Sequence, residues 1–490
     1  MAVAADAFDE LQLRLAEAIH ANRPGSGIDH VMVTLPSFSV SESILSHYGD
    51  RIASLEHRYL TAVLIVGRIT DCHTVIVLSR LPDPAIIEYY LQLVPADRRA
   101  SARSRTTLIE VQDGTNRSVA AKLLDRPDLL DQIRATVGDR PALIEPWNVT
   151  ENEVALALAL GVPINGSNPR VRGLGFKSEG RRLMQRAGVP VPFGVEDVRS
   201  ADDVVAAILA IRKARPNAPG VVIKHDDSGA GDGNVVLDLG PMDAATDPEA
   251  WLREQFDALP DWYRADLERG GIVEERIAGD RFTSPSAQVD IRPGGRVVVL
   301  ATHEQVLGGE SGQVYLGCRF PADPAYAPEL ARHAVAIGEL LADAGALGRF
   351  SVDFVASADG EAGEWRVHAL EINLRKGGTT HPYAAMRNVV PGRYDAEAGR
   401  WLTDDGGVRY YSATDNLLDP AWTGLAPTAV IAAVADAGLQ FDPATGAGVI
   451  LHMLTGLAID GRFGLTAIAE TPGDATRMHE ETRRTVAALV

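Results

Sequence analysis

The segment Ala369-Leu370-Glu371-Ile372-Asn373-Leu374-Arg375-Lys376-Gly377-Gly378-Thr379-Thr380-His381-Pro382 constrains the fold more than any other stretch of the 490 residues. It reads as an apolar strand that ends in oxygen ligands and then turns into a cationic, glycine-rich loop. Side chains on a strand alternate faces, so Glu371 and Asn373 are expected to project together, with Leu370 and Ile372 on the opposite side. A carboxylate and an amide two residues apart suit a hard cation, and Mg2+ needs few protein ligands when phosphates supply the rest. Read alone, the pattern also fits an exposed edge strand followed by a basic turn.

Upstream, Arg349-Phe350-Ser351-Val352-Asp353-Phe354-Val355 alternates polar and apolar like a second half-buried strand, and the intervening Ala358-Asp359-Gly360-Glu361-Ala362-Gly363-Glu364 is a polar connector of hairpin type. A hairpin centred near residue 362 puts Asp353 opposite Glu371 on one face. Two carboxylates so placed repel, so either one holds a proton or a cation sits between them. We take the cation, with Asp353, Glu371 and Asn373 as its ligands.

Three further segments carry chemistry. In Gly220 to Val236 an apolar strand ends on Lys224, a loop with Gly229, Gly231 and Gly233 follows, and a return strand starts at Val235. Glycines let backbone N–H groups converge on an anion; a solvated lysine on a flexible hairpin is the competing reading. The stretch from Gly173 to Pro192 predicts a helix that starts at Lys177 or Ser178 and is ended by Gly188. A lysine there is disfavoured by the helix dipole unless it faces an anion. Gly271 to Phe282 reads as an apolar strand running into the paired acids Glu274 and Glu275 and a turn, suited either to a nucleotide hinge or to solvated charges.

The order Lys177, Lys224 with its glycine loop, Glu274-Glu275, Asp353, Glu371-x-Asn373 resembles the ATP-grasp superfamily over roughly residues 165–385. His303-Glu304-Gln305-Val306-Leu307-Gly308-Gly309, Gln313-Val314-Tyr315-Leu316-Gly317-Cys318-Arg319-Phe320-Pro321 and Arg375 to Tyr383 resemble the peptide ligases related to the pheganomycin biosynthetic enzyme. So do Asp415-Asn416-Leu417, Leu439 to Asp442, Gly448 to His452 and Gly461 to Thr466, so this second resemblance reaches nearly the whole chain.

The resemblance implies two α+β lobes holding ATP between them. Lys177 and Lys224 would touch the α and β phosphates, and Gly229, Gly231 and Gly233 would lie in the loop over the triphosphate. Glu274, Glu275 and Ile277 match the adenine hinge and Asp280 a ribose ligand, while Asp353, Glu371 and Asn373 match the ligands of Mg2+, with two ions expected. Arg375 stands where the biotin-carboxylase branch has a catalytic arginine. The chain departs from the D-alanine ligase branch at Ser351, where that branch has an arginine, so Arg349 or Arg375 must supply the charge.

The reaction so implied is amide formation through an acyl phosphate, from an acid and an amine substrate that are small molecules or peptides, with release of ADP and phosphate. Its tetrahedral oxyanion needs donors, for which Arg375 and the backbone around Gly377 and Gly378 are candidates. Lys376 and Arg319 are candidates for the acid's carboxylate. Among the 12 histidines, His303 and His381 are candidates to contact that carboxylate or to accept the amine's proton. A nonenzymatic nucleotide-binding protein and a carboxylase-like enzyme are the alternatives, although the chain has no Ala-Met-Lys-Met biotin site.

The net charge of −19 argues against a nucleic-acid partner, and the longest apolar run, Val154 to Ile164, is too short for a membrane span. Two cysteines, Cys72 and Cys318, form no framework and suit a reducing cytoplasm. The start reads as an amphipathic helix with Phe8, Leu11, Leu15, Ala18 and Ile19 on one face, not as a leader. The expected architecture is α/β and α+β multidomain. It comprises an α/β pre-grasp domain (1–165) with strands at Ile28 to Leu35, Thr61 to Val66 and Thr74 to Leu78, a first lobe (166–220), a second lobe with the metal and phosphate site (221–390), and a small C-terminal α/β domain (391–490). Residues 395–407 read as a loop insertion, and a homodimer stays open.

Overall fold

The computed structural model describes residues 2–40, 42–228, 233–308 and 314–490. Three sheets organise them. The first is parallel, with strands in the order Thr106–Glu110, Cys72–Leu78, His30–Leu35 and Ala142–Pro146. Residues 61–66 were expected as a strand but form a 3-10 turn and the helix Ala62–Arg68. That run is apolar on all sides and buried on most of them, and so short an apolar stretch carries no period to separate helix from strand. The amphipathic start breaks into two helices, Ala2–Gln12 and Leu15–Ala21, with Phe8, Leu15 and Ala18 buried.

The second sheet is antiparallel in the order Gly194–Val195, Gly271–Glu275, Gly220–His225, Asn234–Asp238. This corrects the boundary expected at 220–221, which would cut through a central strand of that sheet. The connecting polypeptide from 221 to 275 returns to pair with residues 194–195, and only the pairing shows that the two stretches are one unit. The helix Lys177–Arg186 packs from outside onto the third sheet, where a Cβ on Gly180 would lie 3.8 Å from Ile372 Cδ1 and 3.3 Å from the Leu174 carbonyl.

The third sheet has eleven strands. Its path runs Arg366–Asn373, Gly348–Ala358, Pro285–Arg292, Arg296–Gly308, Val314–Phe320, then the C-terminal Val408–Leu418, Arg400–Thr403 and Gly392–Asp395. Gly448–His452 and Arg462–Ala469 join through Val408–Leu418, and Arg281–Thr283 pairs with the far end of Gly348–Ala358. The C-terminal part is therefore hydrogen-bonded to the second lobe. One apolar core runs from Leu15 and Leu64 through Phe320 and Tyr411 to Val486. The expected loop at 395–407 instead holds the turn and second strand of the hairpin Gly392–Asp395/Arg400–Thr403, whose Trp401 is buried.

The seam between lobe and C-terminal segment is tight at Gly317, where an added Cβ would lie 2.3 Å from the Ala413 carbonyl oxygen. Gly317→Ala should force the two strands apart and lower stability by about 1–3 kcal/mol, as overpacking does. A shift of the urea midpoint checks this.

Candidate functional site

The hairpin expected from the alternation forms in the expected register: Asp353 pairs with Glu371 and Ser351 with Asn373. A bulge follows, for Phe354 pairs with Ala369 and Leu370 has no partner across the ladder. Leu370 is thus half-exposed instead of sharing the core face with Ile372, as a bulged residue is. Asn373 Nδ2 donates to Asp353 Oδ2 and Glu371 Oε1, both at 3.0 Å. Burial and the facing Glu371 push the Asp353 carboxyl up. Burial acts most strongly, to raise Glu371, but the Lys177 and Lys224 ammonium groups and the hydrogen bond from Asn373 together hold it low.

Lys177 begins its helix with no side-chain cap of its own. Asp226, arriving just after the Lys224 strand, supplies one: its Oδ1 accepts from Ser178 N at 2.9 Å and Ser178 Oγ at 2.7 Å. The Lys177 ammonium pairs with Glu371 and donates to the Ser228 carbonyl at 3.2 Å. The anion that offsets its unfavourable position is therefore in the molecule. Lys224 pairs with Glu274, which Arg181 also reaches at 3.5 Å. Both lysines are buried and both face carboxylates.

Other expected nucleotide contacts separate. Glu275 points to the opposite face from Glu274, accepting from Phe193 N at 2.7 Å and pairing with Arg215 at 3.3 Å, because neighbours on a strand alternate. The backbone from Glu275 to Ile277 leaves the sheet as an irregular segment, with Ile277 half-buried. Asp280 is not beside the lysines' carboxylates: its Oδ2 accepts from Gly360 N at 2.8 Å, at the turn of the hairpin, distant along both strands from Asp353 and Glu371. Gly233 has φ +84° and a Cβ there would meet His225 Nδ1 at 2.8 Å, so glycine is required. Gly229 and Gly231 lie outside the described residues, as do Gly309 and Gln313 of the resemblance strings.

Beyond Asn373 the chain enters the loop. Arg375 lies over the Trp147 ring at 5.1 Å, within the electrostatic reach of Glu371 and Asp353. Lys376 corrects its expected role, for its ammonium is already taken by Glu145 Oε1 at 2.5 Å and by the Pro146 carbonyl. It anchors the loop to the end of a parallel strand. The Gly377 N–H is likewise engaged, donating to Thr380 Oγ1 at 3.1 Å, so it is not a free oxyanion donor. Gly378 packs against Tyr315, whose ring a Cβ would meet at 2.5 Å.

His303 is also corrected. It is completely buried beside the stacked rings of Phe320 and Tyr411, Nε2 bonded to the Tyr411 hydroxyl at 2.6 Å, and burial depresses its pKa to about 3. Arg319 sits on the exposed face of its strand.

A cleft of about 1250 Å³, its open mouth included, begins at this loop. One face of the helix Thr380–Val389 lines it, through Thr380, His381, Ala384, Arg387 and Asn388, the spacing of a single helical stripe. Its walls carry the cations Arg23, Arg58, Arg292, Arg349, Lys376 and Arg387 against only Glu145 and Asp290. Among the described residues no carboxylate pairs with Arg23, Arg349 or Arg387, and Arg349 Nε is buried without a partner. Sequence reading did not single out Trp147, Glu145, Arg387 or Asn388. The signals were there: Glu145 lies at the carboxyl end of a parallel strand and Trp147 just beyond it, where α/β sheets bind ligands, and the others repeat at helical spacing after Thr380.

Known proteins bear on this arrangement. Residues 249–397 match the IQCH-like ATP-grasp family and residues 429–482 the PGM1 C-terminal domain family. An L-propargylglycine--L-glutamate ligase from Streptantibioticus cattleyicolor is 32% identical over 470 residues, covering 93% of each chain. The chain belongs to the ATP-grasp ligases. Like them, it is an enzyme that forms carbon–nitrogen bonds with ATP, which sets aside the nonenzymatic alternative. The IQ motif-containing protein H of Danio rerio is 23% identical over 59% of this chain and 32% of its own length. Among solved structures, a biotin carboxylase–β,γ-ATP complex from Campylobacter jejuni shares the ligase's fold with a TM-score of 0.57 at 13% identity, covering 94% of both chains. The ADP complex of purK, an N5-carboxyaminoimidazole ribonucleotide synthetase, does so at 0.51 and 13%, covering 93% of this chain and 96% of that one. No helix among the described residues is long and apolar enough to cross a membrane.

The Lys376–Glu145 pair anchors the ligase's loop, and removing one partner leaves an enclosed charge uncompensated. Lys376→Met should therefore cost about 3–5 kcal/mol. The double variant Lys376→Met with Glu145→Gln should cost clearly less than the sum of the single changes, a coupling that denaturant titration of all four proteins measures.

Proposed function

We propose that the chain activates a carboxylic acid with ATP as an acyl phosphate and passes the acyl group to an amine, releasing ADP and phosphate. The observation that carries this is the convergence of Asp353, Glu371 and Asn373 with Lys177 and Arg375 just before the loop whose Lys376 and Gly377 line a cationic cleft. Solved neighbours of the same fold contain ADP or MgADP. The donor set fits Mg2+: two carboxylates and an amide whose oxygen reaches the same point on a flip, with phosphates to complete the shell. Among the described residues no group of three His, Cys, Asp or Glu side chains is set to hold a metal, so the fit is to a cation that shares phosphate oxygens. Asp353, Glu371 and Asn373 would hold the ions, two in number, and bound Mg2+ would neutralise charge on the transferring phosphoryl group.

The residues of the chain do the rest. Lys177 and Lys224, freed from Glu371 and Glu274 as anions and cations exchange partners, pair with the phosphates, Gly233 belongs to the covering loop, and the Glu275–Ile277 backbone receives adenine. Arg375, held flat on Trp147, faces the charge that develops on the acyl oxygen. Arg349 takes the place left by Ser351 and meets the acid's carboxylate.

Three arginines without a carboxylate partner among the described residues, Arg23, Arg349 and Arg387, in the cleft of a chain with net charge −19 select anionic substrates. The relative named above joins two amino acids by its name. We assign amino acids or short peptides as substrates of this chain, with a carboxylate beyond the reacting one held at Arg387. A cytoplasmic setting suits ATP chemistry and two buried, unpaired cysteines. A homodimer is compatible with the site.

Incubation with Mg2+, ATP and pools of amino acids and peptides should release ADP; AMP with pyrophosphate would exclude the acyl-phosphate route. Glu371→Gln should lower ADP release by about 100-fold or more. Arg387→Ala should raise KM for the carboxylate-bearing substrate by about 10–100-fold, the worth of a hydrogen bond to a charged group, with kcat nearly unchanged. Steady-state kinetics separate the two effects.

A further inference from the structure

Three histidines lie close to the cleft or beneath it, and their hydrogen bonds distinguish them. His303 does not line the cleft and its Nε2 is bound to Tyr411. His452 has both ring nitrogens engaged, Nδ1 with the Tyr90 hydroxyl at 3.3 Å and Nε2 with Thr466 Oγ1 at 2.7 Å. His381 is different. It lies in the first turn of the cleft helix, four residues past Gly377, and lines the cleft while being only 5% exposed. Its Nε2–H donates to Asp415 Oδ1 at 2.8 Å. Asp415 is buried as well and is fixed from its other oxygen by Arg58 at 2.7 Å. No protein group among the described residues bonds Nδ1 of His381.

We infer that His381 is the general base of the acyl-transfer half-reaction, held by Asp415 and Arg58 in the tautomer whose Nδ1 lone pair faces the attacking amine. The inference rests on the ligase reading given above. Asp415 is a positioning residue: it accepts from Nε2 and so leaves the lone pair on Nδ1, the arrangement by which a carboxylate orients a catalytic imidazole. The substrate amine arrives as an ammonium ion and cannot attack until it loses a proton. His381 Nδ1 takes that proton, and the nitrogen lone pair then forms the new C–N bond at the acyl carbon. The C–O bond to phosphate breaks, and the second proton, from the nitrogen of the tetrahedral intermediate, leaves with the phosphate. The products are the amide, hydrogen phosphate and a protonated His381 that returns its proton to solvent.

The charged and titratable groups facing His381 are Asp415 on its strand, Arg58 from the 3-10 turn before the helix Ala62–Arg68, and His452, whose ring stands edge-on at 5.1 Å. Burial lowers the pKa of His381 and Asp415 opposes it, so the imidazole is neutral at physiological pH and gains a countercharge once protonated.

Hydroxylamine provides the test, because its nitrogen is largely unprotonated at neutral pH and needs no base. Full-length wild-type enzyme, His381→Ala, His381→Gln and Asp415→Asn are assayed with ATP, Mg2+, an acid from the active pool and either the amino acid acceptor or hydroxylamine. The His381 variants should lose about 100–10,000-fold with the amino acid, the range for a general base. They should keep hydroxamate formation within a few-fold, which also shows that they are folded and still make the acyl phosphate. The low-pH limb of the wild-type kcat/KM profile should vanish in His381→Gln. Equal losses with both acceptors, or an unchanged amino-acid rate, would overturn the inference. If wild-type enzyme forms neither amide nor hydroxamate, the ligase reading fails instead, and the two failures are distinguishable.

Discussion

Asp353 and Glu371 stand opposite one another on adjacent strands, and their mutual repulsion in an enclosed place must be met by cations or by a shared proton. The molecule meets it from three directions. Asn373 donates to both carboxylates, Lys177 arrives on the helix packed over the strand, and Arg375 arrives from the loop beyond. Each of those positions requires another. Lys177 is placed by a helix whose cap comes from Asp226, and Asp226 follows Lys224 in the small sheet. Arg375 is placed by a loop that Lys376 ties to Glu145 and Pro146 of the parallel sheet. The three sheets are thus joined through one charge cluster, whose carboxylates would turn to Mg2+ and whose cations to phosphates were an Mg-nucleotide to bind.

The cleft repeats the logic with the opposite sign. In a strongly acidic chain, unpaired arginines facing one cavity are costly unless an anion completes them, because desolvated charge without a partner is unfavourable. Arg349 reaches the cleft from the strand Gly348–Ala358 and Arg387 from the helix Thr380–Val389. His381, on the helix that runs along the wall, is held by Asp415 from the strand Val408–Leu418.

Much of this was legible in the primary structure. Strand alternation and a short polar connector defined the carboxylate hairpin and its register, because hairpin pairing is local and its period is two. The helix at Lys177 and its need for an anion were legible for the same reason. What escaped was non-local. Residues 61–66 look like a strand because a short apolar run has no readable period, whereas the core around Leu64 takes them as a helix. Lys376 and His303 look like catalytic groups because their neighbours in sequence do chemistry. Their side chains instead meet Glu145, more than two hundred residues away, and Tyr411, about a hundred residues away.

The sequence alone determined which residue types form the carboxylate hairpin and the lysine helix and in what order, since alternation and helix signals act over a few residues. Only the tertiary structure decided which charges are free. Whether Glu274, Lys376 or Arg387 has a partner depends on segments brought together by long-range sheet pairing and core packing. Coulomb energies fall off within a few ångströms in a screened, polar surrounding, so contacts invisible to sequence spacing settle whether a side chain holds the fold or faces a substrate.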